Sequence, residues 1–194
     1  MPKQIIVHCG PAKTGSSAIQ AFLLKNRTRL RELGYLYPKH LVDDHLISSG
    51  NTQSILSSDK VGQWKVSPTK VQKLLSEFEA SDSHTLILSS EFLCDQIFTL
   101  ADLMPNAKFY VYLRHPMASF ESNYRQIVKR GRELSTLSDF GNRGSITWWM
   151  LENYSQLRDK ADLIVRPYAF NSMFGGSVVA DFIKITDLPL AYDK

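Results

Sequence analysis

The chain has 194 residues, 43% of them hydrophobic and 22% charged, with a formal net charge of +4. That length and composition suit one globular domain over residues 1–194 with a sizeable core. They exclude a membrane-spanning helix, because no apolar run approaches about 18 residues, and a disulfide framework, because there are two cysteines.

Taken in chain order, an apolar run predicts a first strand at 4–9 and a helix at 16–33, stopped by Gly34 as its C-cap. Residues 40–66 are rich in Ser, Asp, His and Gly and show no period. They read as a long loop or as short irregular elements, either an acceptor-binding lid or a variable surface excursion. A helix at 68–80 starts with Ser67 as N-cap and Pro68 at its first position. Further strands are expected at 85–89, 108–113 and 162–166, and further helices at 95–103, 117–130, 146–160 and 176–186. The strands are short apolar runs without strict alternation, as expected of parallel strands buried on both faces. This order predicts an α/β fold in three layers, a mainly parallel sheet flanked by helices, of the P-loop nucleotide-binding type. Ligands of such sheets bind beyond the C-terminal strand ends. Gly10–Ser17, Ser89–Glu91 and Arg114 all fall at those ends, so they are expected to converge on one crevice.

The N-terminal MPKQIIVHCG turns straight into a strand and lacks the apolar stretch of a secretory signal, so a cytoplasmic location is expected. Cys9 and Cys94 read as free thiols, and neither lies in a C-x-x-C pair, so no structural zinc is expected. The densest basic group, Lys25, Arg27, Arg29 and Arg31, reads as the solvated face of the first helix. No nucleic-acid motif accompanies the charge, so no nucleic-acid partner is expected; the charge suits a polyanionic nucleotide or an acidic glycan. The sequence carries no signal for an oligomeric state.

The most informative stretch is QIIVHCGPAKTGSSAIQ, residues 4–20. Strand, small-residue loop and helix in succession form a phosphate-binding turn, where helix N-terminal amides favour an anion. The order within the loop is not that of a Walker A sequence, which places Lys after its second Gly. Here Lys13 precedes Gly15, and Ser16 follows it directly.

Gly10-Pro11-Ala12-Lys13-Thr14-Gly15-Ser16-Ser17 resembles the 5′-phosphosulfate loop of the PAPS-dependent sulfotransferases (PAPS is 3′-phosphoadenosine 5′-phosphosulfate). FYVYLRHPMASFESNYRQ resembles that family's 3′-phosphate segment, a strand ending in Arg114, then Pro116, then a helix carrying Ser122. The flanks, AFLLKNRTRLRELGYLYP and RPYAFNSMFGGSVVADFIKITDLP, resemble its bacterial, carbohydrate-type branch. Related enzymes often run on further, which points to a minimal or truncated version. The resemblance implies transfer of a sulfuryl group from PAPS to a hydroxyl or amine acceptor, foremost a carbohydrate or glycoconjugate. It implies release of 3′-phosphoadenosine 5′-phosphate (PAP), with no metal.

Within that frame Lys13 is expected to stabilise the leaving phosphate oxygen. Thr14, Gly15, Ser16 and Ser17 are expected to offer backbone amides and hydroxyls to the 5′-phosphate; plain N-capping is the simpler role for the serines. Arg114 and Ser122 are expected at the 3′-phosphate. Ser122 belongs to a polar stripe with Ser119, Gln126 and Lys129, set apart from an apolar stripe of Met117, Phe120, Tyr124 and Ile127. Glu91 is expected to be the general base, the alternative being a charge that complements a helix terminus. His8, His40 and His45 are the reserve bases. His115 is expected to shape its turn, Trp148 and Trp149 to pack in the core, and Arg166 is a further candidate for the crevice. Two rivals stand beside this reading: a P-loop nucleotide kinase or phosphotransferase, and a sulfotransferase-like domain that binds PAP without catalysis.

Overall fold

Five parallel strands, β1 (Gln4–His8), β2 (Tyr35–Leu36), β5 (Thr85–Ser89), β6 (Ala107–Leu113) and β7 (Asp162–Pro167), form a sheet in the order β2-β5-β1-β6-β7. An antiparallel hairpin, β3 (Leu56–Ser58) and β4 (Trp64–Val66), stands apart from it. The helices are α1 (Ser16–Lys25), α2 (Arg27–Glu32), α3 (Thr52–Ile55), α4 (Pro68–Glu79), α5 (Ile97–Leu103), α6 (Pro116–Lys129), α7 (Leu137–Phe140), α8 (Ile146–Glu152), α9 (Tyr154–Lys160) and α10 (Val178–Ile185). The structure, a computed structural model, describes residues 2–40, 42, 48–60, 62–129, 131, 136–140 and 146–192. Among these, no helix is long and apolar enough to cross a membrane.

Alternating residues of each strand enter two cores, which makes the three layers. Val7, Leu86, Leu88, Phe109 and Val111 pack on one side with α4, α5 and the α8–α9 pair. Ile6, Ile87, Tyr110 and Tyr112 pack on the other with Ile19, Leu23, Leu30 and Phe182. Both faces are covered, so the apolar runs need no polar alternation. The α/β expectation holds. Cys9 and Cys94 are both free and buried.

Several element boundaries differ from expectation, each for a local reason. The single helix expected at 16–33 breaks at Asn26, whose side chain donates to the Phe22 carbonyl at 2.9 Å. The helix expected at 146–160 breaks in the same way at Asn153, which donates to the Trp149 carbonyl at 2.8 Å. In both cases the Asn backbone amide donates to the same carbonyl, so each Asn closes its helix with two bonds to one acceptor. A 3-10 turn over Glu91–Gln96 precedes α5 and takes the start of the helix expected at 95–103. The region 40–66, expected as a long loop or as short irregular elements, contains the short α3 and the hairpin among its described residues. Arg27 is not simply a solvated charge, since its Nε donates to the Tyr37 carbonyl at 3.0 Å.

Arg166 does not point to the crevice. Its guanidinium forks onto Asp181 of α10, with Nη2 to Oδ1 at 2.7 Å and Nε to Oδ2 at 3.1 Å. The Tyr112 hydroxyl and the Phe174 amide donate to the same carboxylate, each at 2.9 Å. Burial alone would raise the Asp181 pKa, but these donors outweigh it and hold it below 3.8. The carboxylate therefore stabilises the fold above that ordinary value, and the contribution is lost as pH falls through the lower folded one. Asp181→Asn should cost about 2–3 kcal/mol at neutral pH, a fall in Tm of roughly 4–12 °C. Thermal melts should show the gap to the unsubstituted protein closing as acid protonates Asp181.

Candidate active site

β1 is the central strand, and residues 9–15 leave it at the C-terminal edge of the sheet. Two residues there are left-handed, Gly15 at φ 78° and Lys13 at φ 72°. Glycine adopts this conformation freely, whereas a lysine pays roughly 1–2 kcal/mol for it. Local contacts hold it in place. The buried Thr14 hydroxyl donates to the Pro11 carbonyl at 2.7 Å. Arg114 Nη1 reaches the Lys13 carbonyl in a long bond of 3.5 Å. A Cβ on Gly10 would lie 2.2 Å from Ser16 Oγ, so the loop closes tightly on the first residue of α1. A Cβ on Gly15 would lie 2.7 Å from Val178 Cγ1. Gly15 is the N-cap of α1 and no side chain caps that helix; the Ala18 amide turns back to the Gly15 carbonyl at 3.0 Å, which leaves the Ser16 and Ser17 amides for a ligand.

The second wall is the end of β5. The segment 48–52 is clamped to it. Asn51 exchanges two bonds with Ser89, its amide donating to the Ser89 carbonyl and its Oδ1 accepting from the Ser89 amide, both at 2.9 Å. The hydroxyls of Ser90 and Thr52 donate to the Ser49 carbonyl at 2.7 and 2.6 Å. Gly50 is left-handed, and any Cβ would collide with the Ser89 carbonyl oxygen at 1.8 Å. Ser48 Oγ accepts from the Gly50 amide and bonds His40 Nδ1 at 2.6 Å, while His40 Nε2 bonds the Tyr37 hydroxyl at 2.9 Å. Glu91, directly after the Ser90 N-cap, is half-buried at the start of the 3-10 turn.

The third wall is α6. These walls enclose a cavity of about 490 Å³. Lys13, Gly15, Ser16 and Ser17 line it from the loop, and Ser48, Ser49 and Glu91 from the β5 side. Asn123, Gln126 and Ile127 line it from α6. Five of the expected site residues thus meet in one cavity. Thr14 does not line it, and its hydroxyl serves the loop. Ser122 is half-buried beside the lining face. Arg114 stands behind Lys13, its guanidinium carbon 5.9 Å from the centre of the Tyr168 ring.

The expected stripes of α6 are corrected. Met117 is 66% exposed, while Ser119 is the buried residue of the helix. Gln126 of the expected polar stripe and Ile127 of the expected apolar stripe line the cavity together, as does Asn123. Of the Trp148–Trp149 pair, Trp148 is 56% exposed and Trp149 packs inward, edge-on to Phe98. His115 is exposed in its turn, and His45 lies outside the described residues.

His8 is fully buried, with Nδ1 bonded to Ser89 Oγ at 2.8 Å, and burial pushes its pKa down to about 3. It stays neutral and serves the floor of the loop rather than proton transfer. Its Nε2, Ser16 Oγ and both amide atoms of Gln20 are buried without a hydrogen-bond partner, a polar cluster beneath the loop. Gln20 was not singled out in the sequence, where it is one polar residue of an amphipathic helix. Ser48, Ser49 and Asn123 were missed too. The first two lie in a stretch without period, and only the fold brings them to Lys13. Among the described residues no three His, Cys, Asp or Glu side chains gather to hold a metal ion.

No family model matches the chain, and no curated protein does. Among solved structures, the chain is similar to a sulfotransferase from Alicyclobacillus acidocaldarius at 13% identity and a TM-score of 0.50. The match covers 87% of this chain and 74% of that one. The likeness shows a sulfotransferase-like fold.

The neutral His8 has a consequence for stability. Its pKa falls from 6.5 when unfolded to about 3 when folded, so the unfolded chain binds the extra proton between those values. Stability is therefore complete above the unfolded pKa and declines as pH drops through the window. From about pH 6 to about pH 4 this group should remove roughly 1.4 kcal/mol per pH unit. In urea unfolding, His8→Asn should be less stable at neutral pH but should lack this part of the slope.

Proposed function

We propose that the chain is a PAPS-dependent sulfotransferase, transferring a sulfuryl group to a hydroxyl or amine acceptor and releasing PAP. The observation that carries this reading is the cavity that sets Lys13, held left-handed in a non-Walker loop, against the same space as Glu91. The donor set suits a dianionic 5′-phosphate: the amides of Ser16 and Ser17 at the uncapped start of α1, the Ser17 hydroxyl and the Lys13 ammonium. Thr14 and Gly15 would add backbone amides. The sulfotransferase-like fold supports the same reading.

Sulfuryl transfer forms an oxygen–sulfur bond to the acceptor and breaks the bond between sulfur and the bridging phosphate oxygen. Charge builds on that oxygen, and Lys13 is the cation for it. The acceptor's proton goes to Glu91, whose half-buried carboxylate lines the cavity. Arg114 and Ser122 would take the 3′-phosphate. Lys13 and the α1 amides supply the charge that Mg²⁺ supplies in kinases, so the step calls for no metal.

Two substitutions test these roles. Lys13→Ala should lower kcat by about 10²–10³ and weaken PAP binding much less; a raised KM with unchanged kcat would make Lys13 a binding group only. Glu91→Gln should leave PAP affinity almost unchanged and cut turnover by about 10²–10⁴. If Glu91 merely complements the helix terminus, the variant should instead lose about 0.3–1 kcal/mol of stability and keep near-normal activity.

A further inference from the structure

Between β7 and α10 the chain makes two 3-10 turns, Phe170–Ser172 and Phe174–Gly176. Both begin with an exposed ring, Phe170 at 72% and Phe174 at 54%. The backbone that displays these rings is fixed. The Phe174 amide donates to Asp181 Oδ1 at 2.9 Å, and the Ser172 carbonyl accepts from Arg166 Nη2 at 3.1 Å. Gly176 is left-handed, and a Cβ there would lie 2.4 Å from Phe170 Cε2, so the Phe170 ring rests on bare backbone.

A cavity of about 360 Å³ opens beside Phe174, which lines it with Met173, Ile185 and the polar Asn171. Of the charged side chains lining it, Arg166 and Asp181 neutralise each other. Lys184 adds a positive charge, its ammonium 4.1 Å from the centre of the Phe174 ring. The cavity shares no lining residue with the one at Lys13.

We propose that this face docks a short segment of another protein, one that carries a carboxylate beside a large apolar side chain. The apolar side chain enters the cavity against Met173, Phe174 and Ile185, and the carboxylate meets Lys184 at the rim. Phe170 stands outside the cavity, so the apolar surface continues past it. A small molecule that filled the cavity would leave Phe170 uncovered, whereas a length of chain covers both rings. Phe, Met and Arg are enriched where proteins meet, and exposed apolar patches mark such places. Because the turns are already fixed, little ordering accompanies binding. Lys184 selects an acidic segment and repels a basic one. The docking is independent of the reaction at Lys13.

Panning a random-peptide phage library on the unsubstituted protein, with Phe174→Ser as the counter-selection, tests this. The enriched peptides should carry Asp or Glu beside Leu, Ile, Phe or Trp. In fluorescence anisotropy the most enriched peptide, synthesised, should bind Phe170→Ser and Phe174→Ser at least about ten-fold more weakly. Lys184→Met keeps the side-chain stem over Phe174 and removes the charge. It should weaken the peptide several-fold and flatten the salt dependence of its binding. Lys184→Met leaves the bonds of both turns in place, so it reads the contact even if the serine variants loosen them. No enrichment, enrichment of basic or uncharged peptides, or equal affinity for Lys184→Met and Phe174→Ser would overturn the proposal. So would a dimer in sedimentation that Phe174→Ser dissociates, because the occupant would then be a second copy of this chain.

Discussion

The left-handed turn at Lys13 is the constraint on which the site depends. A lysine adopts this conformation only under compulsion, and the compulsion comes from four directions. Thr14 ties the loop to the Pro11 carbonyl, Arg114 reaches the Lys13 carbonyl, Gly10 lets Ser16 close in, and Gly15 lets Val178 and Tyr168 press from below. Strain kept in place by its surroundings is a mark of functional sites. Here it brings the Lys13 side chain to the lining of a cavity whose opposite walls come from β5 and α6. The sheet order makes this possible, since β1 lies between β5 and β6 and all three end on the same edge.

The β5 wall is built differently. No strain is evident at Glu91; its position follows from the Ser90 cap and from the segment 48–52, which Asn51 stitches to Ser89 like an extra strand. Buried hydroxyl and amide groups satisfied this fully hold a loop as firmly as secondary structure would. The floor contrasts with it. His8, Ser16 and Gln20 leave buried polar atoms without protein partners directly beneath the loop. Such atoms are costly unless water or a ligand meets them. Ser16 also lines the cavity, while its hydroxyl is buried with His8 and Gln20 in this floor.

Much of this was legible in the sequence, and the reasons are local. The strand–loop–helix at 4–20 and the capped helix at Ser67–Pro68 are written in neighbouring residues, and parallel strands covered on both faces follow from their uninterrupted apolar character. The convergence of Lys13, Ser16 and Glu91 followed from strand ends alone. What escaped depends on contacts between distant segments. The helices break at Asn26 and Asn153, where the periodicity continues unchanged. On α6 the polar Gln126 faces the cavity as its stripe implies, but Ile127 of the apolar stripe faces it too and Met117 is exposed. Arg166 sits at a strand end like Arg114, and only Asp181, fifteen residues on, makes it a structural ion pair. The hairpin carrying Trp64 lies in a stretch without period, although its strands are three residues each.

The central proposal is that the site at Lys13, with Arg114 behind it, takes a nucleotide with phosphates at both the 5′ and 3′ positions. Calorimetric titration of one protein sample with PAP, adenosine 5′-phosphosulfate and ATP·Mg²⁺, repeated on Arg114→Ala, tests it most directly. The account predicts PAP as the tightest ligand, with Arg114→Ala weakening PAP by roughly ten- to a hundred-fold and the 3′-unphosphorylated nucleotide far less. Equal affinity for PAP and ATP·Mg²⁺, or an equal loss for both adenosine ligands on Arg114→Ala, would contradict it.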